Sequence, residues 1–151
     1  MKLILIEDDQ HKAKQIIQFM SESFTEASIE LKKSYQSGLK ELLTHNFDLV
    51  LLDMQLPNFD IKPGEDGYKF RKLAGIDIMR ELTRKRKNCK IIVITQFETF
   101  GEGEFYIDLA NLKQMLKSEF SAMYIDTIFY SPDNSLWQKE LLELIQNKIS
   151  C

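Results

Sequence analysis

The sequence predicts an α/β fold, a doubly wound five-stranded parallel sheet in the order 2-1-3-4-5. Two observations carry that expectation. Five short apolar runs alternate with five amphipathic stretches along the chain. The runs at 2–6, 48–52 and 90–95 are apolar almost throughout, as parallel strands covered on both faces must be.

The first strand is expected over 2–6, ending abruptly in Glu7-Asp8-Asp9. From His11 onward, Ala13, Ile16, Ile17, Met20 and Phe24 recur at helical spacing, giving a helix with one buried face. Ile29, Leu31 and Lys33 predict the second strand, and Leu39, Leu42 and Leu43 a helix over 38–45. The third strand, 48–52, ends at Asp53. Ile76, Ile78, Met79 and Leu82 mark the third helix, and 90–95 the fourth strand, closed by Thr95. Leu109, Leu112, Met115, Leu116 and Phe120 mark an unusually long fourth helix, and 124–130 the fifth strand. Ser135 and Gln138 stand at capping-box spacing at the start of a last helix bearing Trp137, Leu141, Leu144 and Ile145.

No repeat, low-complexity segment or composition break divides residues 1–151, so one domain is expected. Five strands, five helices and their loops need about 120 residues. The surplus falls in two insertions, at about 58–75 and 98–120. The first contains the loop signals Lys62-Pro63-Gly64 and Asp66-Gly67. Beside the acidic residues, it is placed to shield Asp53 or to dock a partner. The second gathers Phe97, Phe100, Phe105, Tyr106 and Phe120, read either as core under its helix or as a partner surface.

Composition excludes several classes. With 44% hydrophobic and 28% charged residues the chain reads as soluble and globular. No apolar run approaches the roughly 18 residues of a membrane span. The acidic turn at Glu7 is foreign to a secretory signal. Cys89 and Cys151 form neither a disulfide framework nor a metal spacing, which suits reduced thiols in a cytoplasmic protein. The net charge of −3 argues against general nucleic-acid binding. Residues 62–90 carry ten Lys or Arg against four Asp or Glu, and residues 98–143 three against nine. Such runs are read first as solvated helix faces. Arg84-Lys85-Arg86-Lys87 is a single helical turn without interleaved aromatics, so a nucleic-acid partner is not expected.

In an open parallel sheet, ligands bind beyond the carboxyl ends of the strands. Glu7, Asp8 and Asp9 follow the first strand and Asp53 closes the third, its neighbour in the expected order. Converging carboxylates repel and raise one another's pKa unless a cation joins them, and Mg2+ suits one or two carboxylates with a carbonyl and waters. The competing reading makes Asp8 or Asp9 a cap of the first helix.

Glu7-Asp8-Asp9, the segment Leu51-Leu52-Asp53-Met54-Gln55-Leu56-Pro57, and Val93-Ile94-Thr95 together resemble the receiver domain of two-component response regulators. The likeness runs through essentially the whole chain, interrupted by the two insertions. It implies the flavodoxin-like receiver fold, Asp53 as phosphoacceptor, and Mg2+ held by Glu7, Asp8, Asp53 and the Gln55 carbonyl, with Asp8 the more direct ligand. It implies Thr95 as the hydroxyl that binds the phosphoryl group. A histidine kinase or phosphotransfer protein would be the donor. A separate effector protein would be the output, since the chain ends with its fifth helix.

The sequence departs from the family at the end of the fifth strand. Receivers place a lysine there, and its ammonium pairs with the phosphoryl group. Here Thr127-Ile128-Phe129-Tyr130-Ser131-Pro132 puts Tyr130 or Ser131 at that position, and Thr127 or Ile128 at the family's aromatic switch position. Neither Tyr130 nor Ser131 supplies a fixed positive charge, and Lys139 falls in the last helix. The alternative reading is therefore a pseudo-receiver, a constitutive protein-interaction module without phosphorylation switching. An enzyme is not expected. Aspartyl phosphohydrolases add a second Asp two residues on, where this chain has Gln55, and metal nucleases add an Asp-x-Asp pair that it lacks.

Overall fold

The computed structural model describes residues 1–61, 70–102 and 104–149. The loop signals at 62–67 and Cys151 fall outside the described residues. Five strands, β1 (Lys2–Ile6), β2 (Ser28–Lys32), β3 (Leu49–Leu52), β6 (Ile91–Thr95) and β9 (Tyr124–Phe129), form one sheet in the order β2-β1-β3-β6-β9. Every pairing in it is parallel. This is the expected 2-1-3-4-5 order.

The helices are α1 (Gln10–Ser23), α2 (Tyr35–Thr44), α3 (Ala74–Arg84), α4 (Leu109–Glu119) and α5 (Leu136–Lys148). Alternate residues of each strand enter opposite cores. Ile4, Ile6, Val50, Leu52 and Val93 pack with Leu42, Ile78, Leu82, Leu112 and Leu116 of α2, α3 and α4. Leu3, Leu5, Leu49, Leu51, Ile92 and Ile94 pack with Ile16, Met20, Trp137 and Leu141 of α1 and α5. Burial on both faces explains why β1, β3 and β6 read as continuous apolar runs.

The helix ends have identifiable causes. Asp9 is the N-cap of α1, its carboxylate accepting from Lys12 N at 3.0 Å. Ser34 and Ser37 form a capping box on α2. At the end of α3, Arg86 takes a left-handed φ of 55°. There Lys87 N donates to Leu82 O and Arg86 N to Thr83 O, the two bonds of a Schellman turn. At α5 the expected capping box is not made. Ser135 sits at φ −110°, ψ 12°, which turns its hydroxyl from the open N–H groups, and Asn134 Oδ1 accepts from Leu136 N instead.

Four shorter strands belong to the insertions. β4 (Leu56–Pro57) and β5 (Phe70–Arg71) pair antiparallel. β7 (Thr99–Glu102) and β8 (Phe105–Asp108) form a hairpin. The second insertion thus carries a hairpin rather than a lengthened helix. α4 has an ordinary 11 residues and starts where the Asp108 carboxylate caps Asn111 N. Phe100 and Phe120 are buried in the core, whereas Phe97 and Tyr106 are exposed. Phe100 and Phe120 thus belong to the core, as one reading of the aromatic cluster expected, while Phe97 and Tyr106 are open to solvent; the Phe105 side chain lies outside the described residues.

The described ends of the first insertion are tied to α2. Gln36 N donates to Asn58 O, Ser37 Oγ donates to Asp60 Oδ1 at 2.8 Å, and the Arg71 guanidinium lies 4.0 Å over the Tyr35 ring. Arg71 also donates to Asn58 Oδ1 and, at 3.2 Å, to Asp77 Oδ2.

Candidate functional site: an acidic pocket with a buried lysine

The carboxyl ends of β1, β3 and β6 lie side by side. Ile6 pairs with Leu52, and Leu52 with Val93, which brings Glu7 and Asp53 level and sets Thr95 on the next strand. Glu7, Asp8 and Asp53 each offer a carboxylate oxygen within 4.8 Å of the others. Glu7 and Asp53 are buried and Asp8 is half-buried. The sheet order therefore assembles the three residues expected to meet. Gln55 lies half-buried in the turn between β3 and β4. Thr95 is fully buried, and its Oγ1 accepts from Phe97 N at 3.2 Å.

A further member is Lys12, which the sequence reading missed. Its side chain is 1% exposed, and its ammonium bridges three strand ends. It lies 2.5 Å from Glu7 Oε1 and 3.4 Å from Asp53 Oδ1, and donates to Ile94 O at 2.8 Å. A signal for it existed. Lys12 stands four residues before Ile16 and eight before Met20, so it occupies the buried stripe of α1. A lysine on such a stripe needs an internal anion, because an unpaired buried charge is prohibitively unstable.

Tyr130 is the residue that points into the pocket wall. It is buried, its ring centre 5.8 Å from the Lys12 ammonium and 5.3 Å from the Trp137 ring, and its hydroxyl donates to Gln15 Oε1. Ser131 turns away, its Oγ accepting from Asp133 N. Thr127 is buried with its hydroxyl 2.5 Å from Tyr124 Oη, and Ile128 packs in the α1–α5 core.

Electrostatics follow from burial and crowding. Burial, then the Asp53 charge, push Glu7 up to about 8 against the pull of Lys12. The same two causes push Asp8 up to about 6. Burial alone would lower Lys12, but Asp53 and Glu7 more than offset it and hold its pKa above the usual value. The donor set fits a hard divalent ion. Mg2+ is bound through one or two carboxylates and waters, and half-buried Asp8 beside Asp53 offers that pair. Glu7 Oε1 is held in a buried ion pair with the Lys12 ammonium at 2.5 Å, and Oε2 accepts from Asp9 N.

Asp53 itself is differentiated. Its Oδ1 accepts from Met54 N at 2.8 Å and faces Lys12. No hydrogen bond from the described residues reaches Oδ2. One oxygen is held, and the other has no hydrogen-bond partner among the described residues.

A buried aspartate at a central strand end, two acidic neighbours and a hydroxyl on the next strand define a receiver-type site on a doubly wound sheet. The sequence matches the response regulator receiver domain family over residues 3–119, and the chain belongs to that family. It is 27% identical to the Detocs response regulatory protein DtcB of Enterobacter cloacae, over 96% of this chain and 98% of that protein. It is 23% identical to the response regulator ArlR of Staphylococcus haemolyticus, over 66% of this chain and 38% of that longer protein. Among solved structures, a CheY-like receiver domain from Methanospirillum hungatei superposes with a TM-score of 0.63 at 19% identity, covering 99% of this chain and 93% of that one. The response regulator TrrA of Thermotoga maritima, solved with Mg2+ and BeF, superposes with a TM-score of 0.55 at 18% identity, covering 95% and 97%. Receiver domains of this family are signalling modules of two-component systems. Among the described residues no helix is long and apolar enough to cross a membrane.

Proposed function

We propose that the chain is a single receiver-like domain over 1–151 that accepts a phosphoryl group on Asp53 with Mg2+ and signals through protein contacts. The observation that carries this reading is the state of Asp53, buried beside Glu7 and Asp8 with Oδ1 held by Met54 N–H and Oδ2 without a hydrogen-bond partner among the described residues. A carboxylate is a weak nucleophile, so transfer to it depends on positioning and charge neutralisation. Mg2+ bound by Asp8, Asp53 and the Gln55 carbonyl, with Glu7 behind a water, would neutralise charge on the transferring group. Met54 N–H and Lys12 fix the carboxylate, and Thr95 lies on the neighbouring strand as the hydroxyl partner of the product. A histidine kinase or phosphotransfer protein would donate, and a separate effector would respond, in the cytoplasm. The near-full-length likeness to a Detocs response regulatory protein supports a role as the regulator of such a system.

Tyr130 or Ser131 in place of the family's strand-end lysine favours a second reading, a pseudo-receiver that binds partners constitutively. Incubation with Mg2+ and acetyl phosphate, followed by intact mass, separates the two. A phosphoryl adduct on the wild type that Asp53→Ala abolishes supports the receiver. No adduct, and no binding of beryllofluoride, supports the pseudo-receiver.

A further inference from the structure

We propose that Lys12, delivered from α1, is the cation that binds and neutralises the phosphoryl group on Asp53, in place of a lysine at the end of β9. The inference rests on the receiver reading and assigns the charge partner that reading leaves open. Three observations carry it. The Lys12 ammonium is already 3.4 Å from Asp53 Oδ1, on the acceptor itself. It is held rather than tethered, with Glu7 and Ile94 O fixing it from two further strand ends. And neither residue at the end of β9 supplies a cation: the Tyr130 ring packs on Trp137 with its hydroxyl on Gln15 of α1, and Ser131 Oγ accepts from Asp133 N. The Tyr130 ring thus lies beside the Lys12 ammonium, and α1 supplies the charge.

The chemistry requires such a group. When Asp53 Oδ2 attacks, an O–P bond forms and the donor's bond to phosphorus breaks. Acetyl phosphate releases acetate, whereas a phosphohistidine donor releases an imidazole that takes up a proton. The product places about two negative charges among Glu7 and Asp8. A preorganised ammonium aimed at developing charge in a water-poor pocket stabilises both transition state and product. Placement on α1 also alters what the product pulls on. The ammonium is bonded to Ile94 O, one residue before Thr95, so a phosphoryl group drawing on Lys12 acts on α1 and the end of β6 rather than on β9.

The test compares wild type with Lys12→Met, Lys12→Arg and the double variant Lys12→Met/Tyr130→Lys. Adduct formation with acetyl phosphate and Mg2+ is followed by mass, and folding by circular dichroism. Lys12→Met is expected to slow phosphorylation about 100- to 1000-fold, the order seen on removing one preorganised donor. Lys12→Arg keeps part of the rate, and lysine at 130 restores part of what methionine loses. A folded Lys12→Met that is phosphorylated at the wild-type rate overturns the role of Lys12 and leaves the receiver reading intact. A wild type that never forms an adduct overturns both. One measurement needs no variant: with 13C-labelled lysine, beryllofluoride is expected to shift the Lys12 ε-methylene resonance, and an unmoved resonance in beryllofluoride-bound protein overturns the proposal.

Discussion

The Tyr130 hydroxyl donates to Gln15 Oε1 at 2.7 Å and so joins the end of β9 to α1 beside the acidic pocket. The two residues are 115 positions apart. Tyr130→Phe keeps the packing against Trp137 and removes only this bond, so stability is expected to fall by about 1 kcal/mol. Tyr130→Ala also empties a buried site and is expected to cost about 3–5 kcal/mol. Urea denaturation of both variants measures the difference. Equal losses would mean that the hydrogen bond, and not the ring, holds β9 to α1.

Metal-free protein is expected to lose stability as pH rises from about 5 to about 8. The folded state keeps protons on Asp8 up to about 6 and on Glu7 up to about 8, above their ordinary values of 3.8 and 4.5. Across that window the folded chain binds more protons than the unfolded one, so unfolding becomes easier with rising pH. Lys12 stays charged throughout and does not reverse the slope. Mg2+ replaces those protons, so its thermal stabilisation should be larger near pH 8 than near pH 5. A metal-free Tm that climbs steadily between those pH values contradicts the crowding described for the pocket.

Gly38 on α2 packs against β1 just before the pocket. A Cβ there would lie 2.8 Å from both Cδ1 and Cγ2 of buried Ile6. Overpacking of this kind costs about 1–3 kcal/mol, while replacing a helical glycine by alanine returns up to about 1. Gly38→Ala is therefore expected to be destabilising by about 1 kcal/mol. Gly38→Ala with Ile6→Val, which shortens the branch Cδ1 belongs to, should recover part of the loss in a thermal melt.

Arg86→Gly tests the turn after α3. Arg86 holds φ at 55°, where a side chain is strained and glycine is not. The Schellman bonds use only backbone atoms, so they survive the change. A gain of up to about 1 kcal/mol is expected in chemical denaturation, and a loss would mean that the Arg86 side chain makes a compensating contact.

Much of this molecule is legible in one dimension. β1, β3 and β6 are apolar throughout because both faces of the sheet are covered, and runs of that kind admit few other readings. Glu7, Asp8 and Asp53 stand at strand ends, and adjacency of β1 and β3 follows from the fold class, so their convergence follows too. The hairpin β7–β8 was not legible. Phe100, Tyr106 and Ile107 suit a strand or a helix equally, and the pairing that decides between them is a contact between segments.

Lys12 marks the boundary between the two kinds of information. The sequence by itself determined a parallel α/β sheet, an acidic triad at its carboxyl edge, and the loss of lysine at 130 and 131. Local periodicity and strand-end chemistry suffice for these. Only the tertiary structure decided where the positive charge is. The Lys12 ammonium meets groups at positions 7, 53 and 94 at once, and those positions become neighbours only when three parallel strands align. A buried ion pair depends on which groups the fold brings within a few ångströms of each other, so its outcome is fixed by the assembled sheet and by no single stretch of chain.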